Sequence, residues 1–237
     1  MKEVLRNIFI NLKLDVTKNI KYDRLTREVI KTSVKEGDVC VDVGCHKGEI
    51  LDLFISESSE KHYGFEPIPS FYQCLKNKYS YHHILNYALS NETGSTSFQY
   101  VKNAPAYSGL KNRKYATKNP EIEEINVSVE RLDNIITSPV SFIKIDVEGA
   151  ELKVLEGAKK TIEKYTPSIL FECGLGASEY YNTSPTDVYD FFESSQYNLY
   201  LLDNWLKKKN ALSKGDFIKV YEENSDYYFF AEPKRKN

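Results

Sequence analysis

The run VDVGCHKGE at residues 41–49 is the stretch of sequence that most directly indicates the fold. Its first residues belong to a short apolar run, residues 39–43, which predicts a buried strand that ends at Gly44. After a second glycine, Gly48, apolar residues recur at helical spacing over residues 50–55. The pattern predicts a strand, a tight turn and a helix, with glycines in the turn because they let the backbone approach a ligand closely.

The residues between the two glycines indicate the class of ligand. A dinucleotide fingerprint would place glycines at the positions of His46 and Glu49, where they clear a pyrophosphate. We therefore expect a ligand without a pyrophosphate, and a dehydrogenase becomes a weaker interpretation. Asp42, level with the turn, is expected to hold a cationic ammonium group or to order water around it.

Strand-like and helix-like stretches alternate outward from this turn. Helical patterns cover residues 71–75 and 152–165, and strands are predicted at residues 62–65, 84–89, 141–147 and 168–171. Alternation of this kind predicts an α/β fold with a mostly parallel sheet and helices on both faces.

Three regions depart from the alternation. Residues 1–36 are predicted as an N-terminal helical extension with two helices, the first within residues 4–12, and residues 37–237 as one domain. Two β-like runs, residues 96–101 and 125–129, flank a long polar loop and are expected to pair antiparallel. The C-terminal region is predicted to contain, in order, a helix, a strand, a helix and a strand, at residues 188–192, 197–202, 217–221 and 227–231.

Composition excludes several classes of protein. The 237 residues are 41% hydrophobic and 28% charged with a net charge of −2, which excludes intrinsic disorder and gives no electrostatic footprint for nucleic acid. No apolar run approaches the ~18 residues of a membrane-spanning helix, so no membrane span is expected. The four cysteines lack C-x-x-C spacing, which suits reduced thiols and a cytoplasmic location.

Glu66 supplies a second element of a ligand site. It ends the next predicted strand, 22 residues after Gly44. That spacing is close to the ~20 residues at which an acidic side chain accepts hydrogen bonds from ribose hydroxyls. Turn and acid together predict an adenosyl ligand at the carboxyl edge of the sheet. The structural alternative is an ordinary turn beside a solvated carboxylate.

A cluster of carboxylates follows a later strand. Asp146, Glu148 and Glu151 lie at the strand end and in the first helical turn, and Glu172 closes the next strand. Glu151 is explained by the helix dipole, which favours an acid in the first turn. For Asp146 and Glu148 we expect a function, because clustered carboxylates repel one another unless cations, N–H groups or solvent offset the repulsion.

Together these motifs resemble the FkbM family of S-adenosylmethionine-dependent methyltransferases. The likeness spans residues 37–175 and comprises, in order, D-x-G-x-x-x-G at 42–48, FEPIP at 65–69, ALS at 88–90, RLD at 131–133 and KIDVEGAE at 144–151. The last run is the most specific, whereas the first is shared with most methyltransferases of this fold. Many family members have Ala-Asn where Cys45 and His46 stand.

The resemblance implies a Rossmann-like class I methyltransferase fold with an antiparallel final strand, here residues 227–231. It implies S-adenosyl-L-methionine as the cofactor, with Gly44 and Gly48 beside its methionine moiety and Glu66 at its ribose. The rim around Asp146 would lie near the transferred methyl group. The residues expected to bind the cofactor are Asp42, Gly44, Cys45, His46, Gly48, Glu66, Pro67, Ala88 and Asp146.

The resemblance also implies O-methylation of a hydroxyl group on a small molecule or glycan, and we favour a sugar over a polyketide. The alternative from another class is a non-catalytic adenosyl-binding module. Amino-group methylation of nucleic acid is a poor alternative, because residues 146–149 lack the Asn/Asp-Pro-Pro-aromatic turn. Residues 102–124 form a possible substrate loop in which Tyr107 and Ser108 would touch the acceptor, although plain disorder is an equal alternative.

The chemistry assigned to the acidic rim is general base catalysis. A sugar hydroxyl is a weak nucleophile, so a base should remove its proton as the new bond forms. The candidates are Asp146, then Glu148 and Glu172, with the pKa of the base raised by acidic neighbours and burial. The structural alternative for Asp146 and Glu148 is capping of the helix that starts near residue 149. No metal is assigned, although a divalent ion on these carboxylates stays open.

Overall fold

A computed structural model describes residue 6, residues 9–10 and 12–113, residue 115 and residues 117–234. Ten strands are present in this part of the chain: β1 (Cys40–Val43), β2 (Tyr63–Phe65), β3 (His83–Leu85), β4 (Ala88–Leu89), β5 (Gly94–Val101), β6 (Ile122–Glu130), β7 (Phe142–Ile145), β8 (Ser168–Glu172), β9 (Tyr197–Leu201) and β10 (Tyr228–Pro233). The first of the two helices predicted in residues 1–36 lies mostly outside the described residues.

Seven strands form the central sheet, in the order β3-β2-β1-β7-β8-β10-β9. The first five of these pair in parallel, and β10 runs antiparallel to both of its neighbours. The predicted fold class, including the antiparallel final strand, is confirmed. In the register of the sheet, Val43 is level with Phe65 and with Ile145, and Ile145 is level with Phe171. The residues that follow these four positions therefore leave the sheet side by side.

The described helices are α1 (Lys18–Ser33), α2 (Glu49–Glu57), α3 (Pro69–Lys78), α4 (Leu132–Ile135), α5 (Glu151–Gly157), α6 (Lys159–Tyr165), α7 (Pro185–Ser194), α8 (Leu202–Leu206) and α9 (Lys214–Glu222), with 3₁₀ turns at Pro105–Tyr107 and Ser178–Tyr181. Local sequence explains several helix starts. Thr17 caps α1 by accepting the Ile20 N–H at 3.2 Å. Capping boxes at Ser184 and Ser213 begin α7 and α9.

Helices cover both faces of the central sheet, because alternate residues of each strand point to opposite sides. On one face Val41 and Ile143 pack with Leu155 of α5 and Ile162 of α6. On the other face Cys40 and Phe142 pack with side chains of α1 and α2, among them Leu25 and Phe54. No helix in the described part of the chain is long and apolar enough to cross a membrane.

The predicted strand at residues 84–89 is wrong, because the chain divides there between two sheets. β3 belongs to the central sheet, whereas β4 joins β6 and β5 in a separate three-stranded sheet. Asn86 makes the turn between them: its side-chain amide donates to the backbone oxygens of Glu66 and Pro67 at 2.8 and 2.9 Å. The expected antiparallel pairing of the two β-like runs is confirmed as β5 with β6. β6 begins at Ile122, so the loop between them ends at residue 121.

The helical pattern at residues 152–165 is interrupted in the structure. α5 ends at Gly157, and α6 starts after Ala158. The Asp133 carboxylate supplies the new start by accepting the backbone N–H groups of Lys160 and Thr161 at 3.1 and 2.8 Å. This acid belongs to α4, not to α5 or α6, so the helical periodicity of residues 152–165 alone could not reveal the break.

Candidate active site

The carboxyl ends of β1, β2, β7 and β8 meet at one edge of the central sheet, and two adjoining cavities open there. The first, which we call the apolar cavity, is lined chiefly by side chains such as Phe65, Ile68, Leu89, Phe98 and Leu110. The second, the polar cavity, has a volume of about 740 Å³. The two cavities share Gly44, His46, Ala106, Asp146 and Glu148. A ligand in one cavity therefore meets a ligand in the other at these residues.

The glycines of the β1–α2 turn are required by contacts within the protein. Gly44 has a φ of +86°, and a Cβ there would lie 2.0 Å from the backbone oxygen of Asp146. Gly48 has a φ of +82°, and its Cβ would lie 2.5 Å from the Tyr79 hydroxyl. Gly44 lines both cavities, whereas Gly48 faces Tyr79 and lines neither. The structure thus shows contacts within the protein that require both glycines, and their expected approach to a ligand stays a prediction. Tyr79 directly follows α3, and nothing in the sequence indicates that its hydroxyl lies against Gly48.

Cys45 and His46 occupy the middle of the turn. Cys45 is buried and lines the polar cavity. His46 has a left-handed backbone (φ +49°), and its ring lies 4.8 Å from that of Phe71. Its Nε2 is buried, with no hydrogen-bond partner among the described residues. Burial lowers the pKa of His46, which favours the neutral imidazole.

Glu66 lies where the sequence predicted it, at the wall of the apolar cavity beside Pro67 and Ala88. Its two carboxylate oxygens accept the N–H groups of Ile68 at 2.9 Å and His46 at 2.8 Å. Burial raises its pKa to about 7, although these two hydrogen bonds oppose the rise. Each oxygen has a second lone pair, so the carboxylate can also accept hydrogen bonds from a ligand's hydroxyl groups.

Asp42 is completely buried and lines neither cavity. Its carboxylate oxygens accept no hydrogen bond from the residues that the structure describes. Burial raises its pKa to about 6, and the positive charge of Lys144 opposes this rise. The structure therefore does not place Asp42 against a ligand, and its expected contact with an ammonium group stays a prediction.

Asp146 is tied to two neighbours at the junction of the cavities. One of its oxygens accepts hydrogen bonds from Lys144 Nζ and from the Tyr228 hydroxyl, each at 2.9 Å. Burial alone would raise its pKa, but the Lys144 ammonium and these hydrogen bonds hold the pKa below its ordinary value. The expectation of a raised pKa is wrong for Asp146, because the ammonium group of Lys144, two residues earlier on β7, is buried beside it.

The other three acids of the rim have raised pKa values. Burial, followed by the negative charge of Asp146, raises the pKa of Glu148 to about 8, against the opposing charge of Arg113. Burial and the charge of Asp146 also raise the pKa of Glu172 well above its ordinary value. Glu151 accepts the N–H groups of Val147 and Gly149, both at 3.1 Å. The structural interpretation of Glu151 is therefore correct, whereas Glu148 and Glu172 line the polar cavity.

Part of the wall of the polar cavity comes from regions outside the motifs. α1 contributes Asn19, Tyr22 and Asp23, and the start of β10 contributes Tyr227 and Tyr228. Tyr107 lines this cavity, whereas Ser108 lines the apolar cavity, and their expected contact with the acceptor stays a prediction. The Ser108 hydroxyl accepts the Val101 N–H at 3.0 Å, so it holds the loop in place. Sequence reasoning missed Arg113, which also lines the polar cavity and pairs with Glu148.

No group of three or more His, Cys, Asp or Glu side chains in the described residues could hold a metal ion. The positive partner of Asp146 is Lys144, whose ammonium lies 2.9 Å away. The side chains that surround Asp146 and Glu148 thus offset their charge with Lys144 and Arg113.

A family model for the methyltransferase FkbM domain matches residues 42–199. This range includes Gly44, Glu66, Asp146, Glu148 and Glu172, the acids and the turn that surround the two cavities. The chain belongs to the FkbM methyltransferase family. A search of curated proteins finds no match to the sequence.

Solved structures give more distant comparisons. An FkbM methyltransferase from Methylobacillus flagellatus KT superposes with a TM-score of 0.51 at 18% identity, over 82% of this chain and 43% of that chain. This chain thus spans less than half of that protein, and the likeness shows a common fold. An rRNA methylase from Streptococcus thermophilus (TM-score 0.45, 12% identity, 90% and 96% of the two chains) and a Streptococcus mutans protein crystallised with SAH (0.45, 10%, 87% and 94%) superpose too loosely to indicate an activity.

S-adenosylmethionine is the cofactor of the FkbM methyltransferase family, to which the chain belongs. The apolar cavity has a volume of about 70 Å³ in this structure, and its apolar wall and the Glu66 carboxylate are of the chemical kind that an adenosyl group contacts. Acidic side chains at the junction with the polar cavity suit a sulfonium cation.

Proposed function

We propose that the FkbM domain transfers a methyl group from S-adenosylmethionine to a hydroxyl group of a small molecule or glycan, with a sugar as the favoured acceptor. The observation that supports this most strongly is the junction of two different cavities at Asp146 and Glu148. One cavity suits the donor and the other an acceptor, and proton-accepting groups stand where they meet. A polyketide or another hydroxylated metabolite is the alternative acceptor.

The donor side is assigned to the apolar cavity. Glu66 accepts hydrogen bonds from the ribose hydroxyls, and Pro67 and Ala88 form part of the surrounding wall. Gly44, Cys45 and His46 form the turn beside the methionine moiety, and Gly48 shapes that turn through Tyr79. When bound, S-adenosylmethionine supplies an electrophilic methyl group on a sulfonium sulfur.

Glu148 is our choice of general base. Methyl transfer to oxygen releases the acceptor's hydroxyl proton, and a base near its own pKa at working pH accepts such a proton most effectively. Glu148, with a pKa of about 8, meets this condition better than Asp146, whose pKa is lowered. Asp146, held by Lys144 and Tyr228, would orient the acceptor. Glu172 is assigned as a protonated neighbour that can donate a hydrogen bond.

The shape and chemistry of the polar cavity support a sugar acceptor. Tyr107 and Tyr227 line this cavity with aromatic rings against which the apolar face of a sugar ring can pack. Asn19 and Asp23 offer polar atoms for its hydroxyl groups. We do not expect a nucleic-acid acceptor, because the chain has a net charge of −2. A cytoplasmic location also remains part of this proposal.

The proposal is tested by screening for incorporation of a labelled methyl group into nucleotide sugars, cell-surface glycans, polyketide alcohols and RNA. With the acceptor so found, Glu148→Gln should lower turnover about 100-fold or more, while at pH 7, below the Glu148 pKa of about 8, S-adenosylmethionine affinity and melting temperature stay nearly constant. Asp146→Asn should also lower the melting temperature, because it removes the negative partner of the buried Lys144 ammonium.

Glu123→Gln is the matched control for Glu148→Gln, because it removes one acid from an exposed ion pair with Lys102 on the strands beside the loop. It should leave turnover unchanged. Label that enters RNA alone would contradict the acceptor class. Tight S-adenosylmethionine binding without any methyl turnover would instead favour the non-catalytic module.

A further inference from the structure

Arg113 reaches the rim from the loop between β5 and β6. Its side chain is only 10% exposed, and its Nη2 donates to the Glu148 carboxylate. Nη1 donates to the backbone oxygen of Gly176 at 3.3 Å, and the guanidinium lies 5.2 Å from the centre of the Tyr107 ring. One planar group thus joins the rim, the segment after β8 and the loop itself.

Glu148 is held in a conformation that the free chain disfavours. Its φ of +62° is in the left-handed region, which a non-glycine residue adopts at a cost of about 1 kcal/mol or more. The same loop also approaches Glu148 through Gly109, where an added Cβ would lie 3.5 Å from the Glu148 Cβ. The loop therefore meets the strained residue at two points, Gly109 and Arg113.

Residues 105–110 of the loop cover the apolar cavity. Pro105, Ala106, Ser108 and Leu110 all line that cavity. Their segment is fixed by backbone hydrogen bonds, including Ser108 N–H to Pro105 O at 3.0 Å and a two-way bridge between Gln99 and Gly109. The wall of the donor cavity and the partner of the proposed base thus belong to one stretch of chain.

We propose that Arg113 is a positioning residue, which fixes the Glu148 carboxylate at the junction of the two cavities and ties residues 105–110 to the rim. This inference rests on the proposed function of Glu148 as the base. Arginine suits the role because its planar fork can serve Glu148, Gly176 and Tyr107 at once, whereas a lysine ammonium has no such fork.

The electrostatic consequence of Arg113 is a more readily ionised Glu148. Three acids face Glu148 with negative charge or protonated carboxyl groups: Asp146, Glu151 and Glu172. Tyr228 faces it from β10. The positive charges that face it are those of Lys144 and Arg113. Removal of Arg113 should therefore raise the pKa of Glu148 further. The base would then be ionised only at a higher pH.

The test compares wild type with Arg113→Gln, Arg113→Lys and Glu148→Gln, and uses Lys102→Gln as the control. Lys102 pairs with Glu123 where the loop joins β5 and β6, both side chains are 51% exposed, and neither residue lines the apolar or the polar cavity. Arg113→Gln should lower turnover at pH 7 about tenfold or more and move the acidic limb of the pH–rate profile up by about one pH unit or more. Arg113→Lys should recover part of both effects, and Lys102→Gln should show neither.

A second readout needs neither donor nor acceptor. Amide hydrogen exchange at Tyr107, Ser108 and Gly109, which all donate backbone hydrogen bonds, should be at least about tenfold faster in Arg113→Gln than in the control. In a Glu148→Gln background, the further change Arg113→Gln should alter turnover less than about threefold, since it acts through Glu148. An acidic limb that stays at the wild-type pH, or unchanged exchange at these amides, would contradict the proposal.

The two levels of inference fail in different ways. If wild type methylates no hydroxylated acceptor, the proposed function is wrong, and the exchange experiment still reports whether Arg113 holds the loop. If wild type is active but Arg113→Gln matches Lys102→Gln in both readouts, only the role of Arg113 is wrong.

Discussion

Glu66 combines a structural and a binding role in one carboxylate. Its oxygens already accept the N–H groups of His46 and Ile68, and its side chain also lines the apolar cavity. Glu66→Gln should weaken S-adenosylmethionine binding by about 1.5–3 kcal/mol, the range for hydrogen bonds to a charged group. Calorimetric titration measures this change, and Glu60→Gln, an exposed carboxylate after α2, serves as the control.

The same experiment has a pH dependence with a definite sign. Because the pKa of Glu66 is about 7, its carboxyl group gains a proton as the pH falls below that value and loses acceptor capacity. Wild-type affinity for S-adenosylmethionine should therefore fall from pH 7.5 to pH 6, and the Glu66→Gln variant should lack this component. Equal affinity of a folded Glu66→Gln variant and wild type would rule out the ribose contact.

At the level of single residues, the sequence predicted which acidic side chains lie at the site, but not which residues they contact. The positions of Glu66 and the rim acids follow from strand ends, which a pattern of apolar residues locates well. The partners of those acids were hidden, because Arg113 and Tyr228 reach the rim from distant parts of the chain. The lowered pKa of Asp146 is the clearest consequence, since it depends on the burial of Lys144 and on Tyr228.

At the level of elements, the junction between α5 and β4 depends on one glycine. Gly157 ends α5, and an added Cβ would lie 1.9 Å from the backbone oxygen of Ser90. Gly157→Ala should therefore lower the free energy of unfolding by about 2 kcal/mol or more, as overpacking against backbone does. The matched change Gly215→Ala, near the start of α9, meets no atom closer than 3.9 Å.

Gly215→Ala should instead raise the free energy of unfolding by about 0.4–1 kcal/mol, because alanine restricts the unfolded chain and favours the helix. Chemical denaturation of both variants measures the two effects. The same sign for both changes would show that close packing against Ser90 does not determine the cost at residue 157.

The elements that sequence misjudged are those divided by a contact from elsewhere. The central strands were located because each is a short apolar run with a turn signal at its end. The division of residues 84–89 depends on Asn86 bonding to the segment after β2, and the division of residues 152–165 depends on Asp133. Hydrophobic periodicity continues through both breaks, so it carries no trace of them.

At the scale of the whole molecule, the two halves of the site differ in how far sequence could define them. The donor half is built at the ends of consecutive parallel strands, a place that alternating strands and helices predict. The acceptor half brings α1, the loop between β5 and β6, and β10 together, and these are far apart in the sequence. Of the residues that these three regions contribute to the wall, only Tyr107 was identified in advance, because the pairing of distant segments leaves no periodic signal.

The buried acids also determine how the stability of the whole molecule depends on pH. Glu66, Glu151 and Glu148 have pKa values of about 7, 7 and 8 in the folded protein, above those of the unfolded chain. The folded state therefore retains protons that the unfolded state has released, and stability falls as the pH rises through these values. His46, His62 and His82 have lowered pKa values and act in the opposite direction, but only below about pH 6.5.

Between pH 6.5 and pH 7.5 the acids should dominate, so the melting temperature of the cofactor-free protein should fall. S-adenosylmethionine carries one more positive charge than its demethylated product, and that charge would stand beside acids that ionise over this range. The donor should therefore stabilise the protein increasingly more than the product does as the pH rises. Thermal unfolding with each ligand at saturation measures the difference, which should grow less steeply in Glu148→Gln. A difference that is independent of pH would indicate that the sulfonium does not lie beside the acidic rim. The methyl group would then not be at the junction of the two cavities.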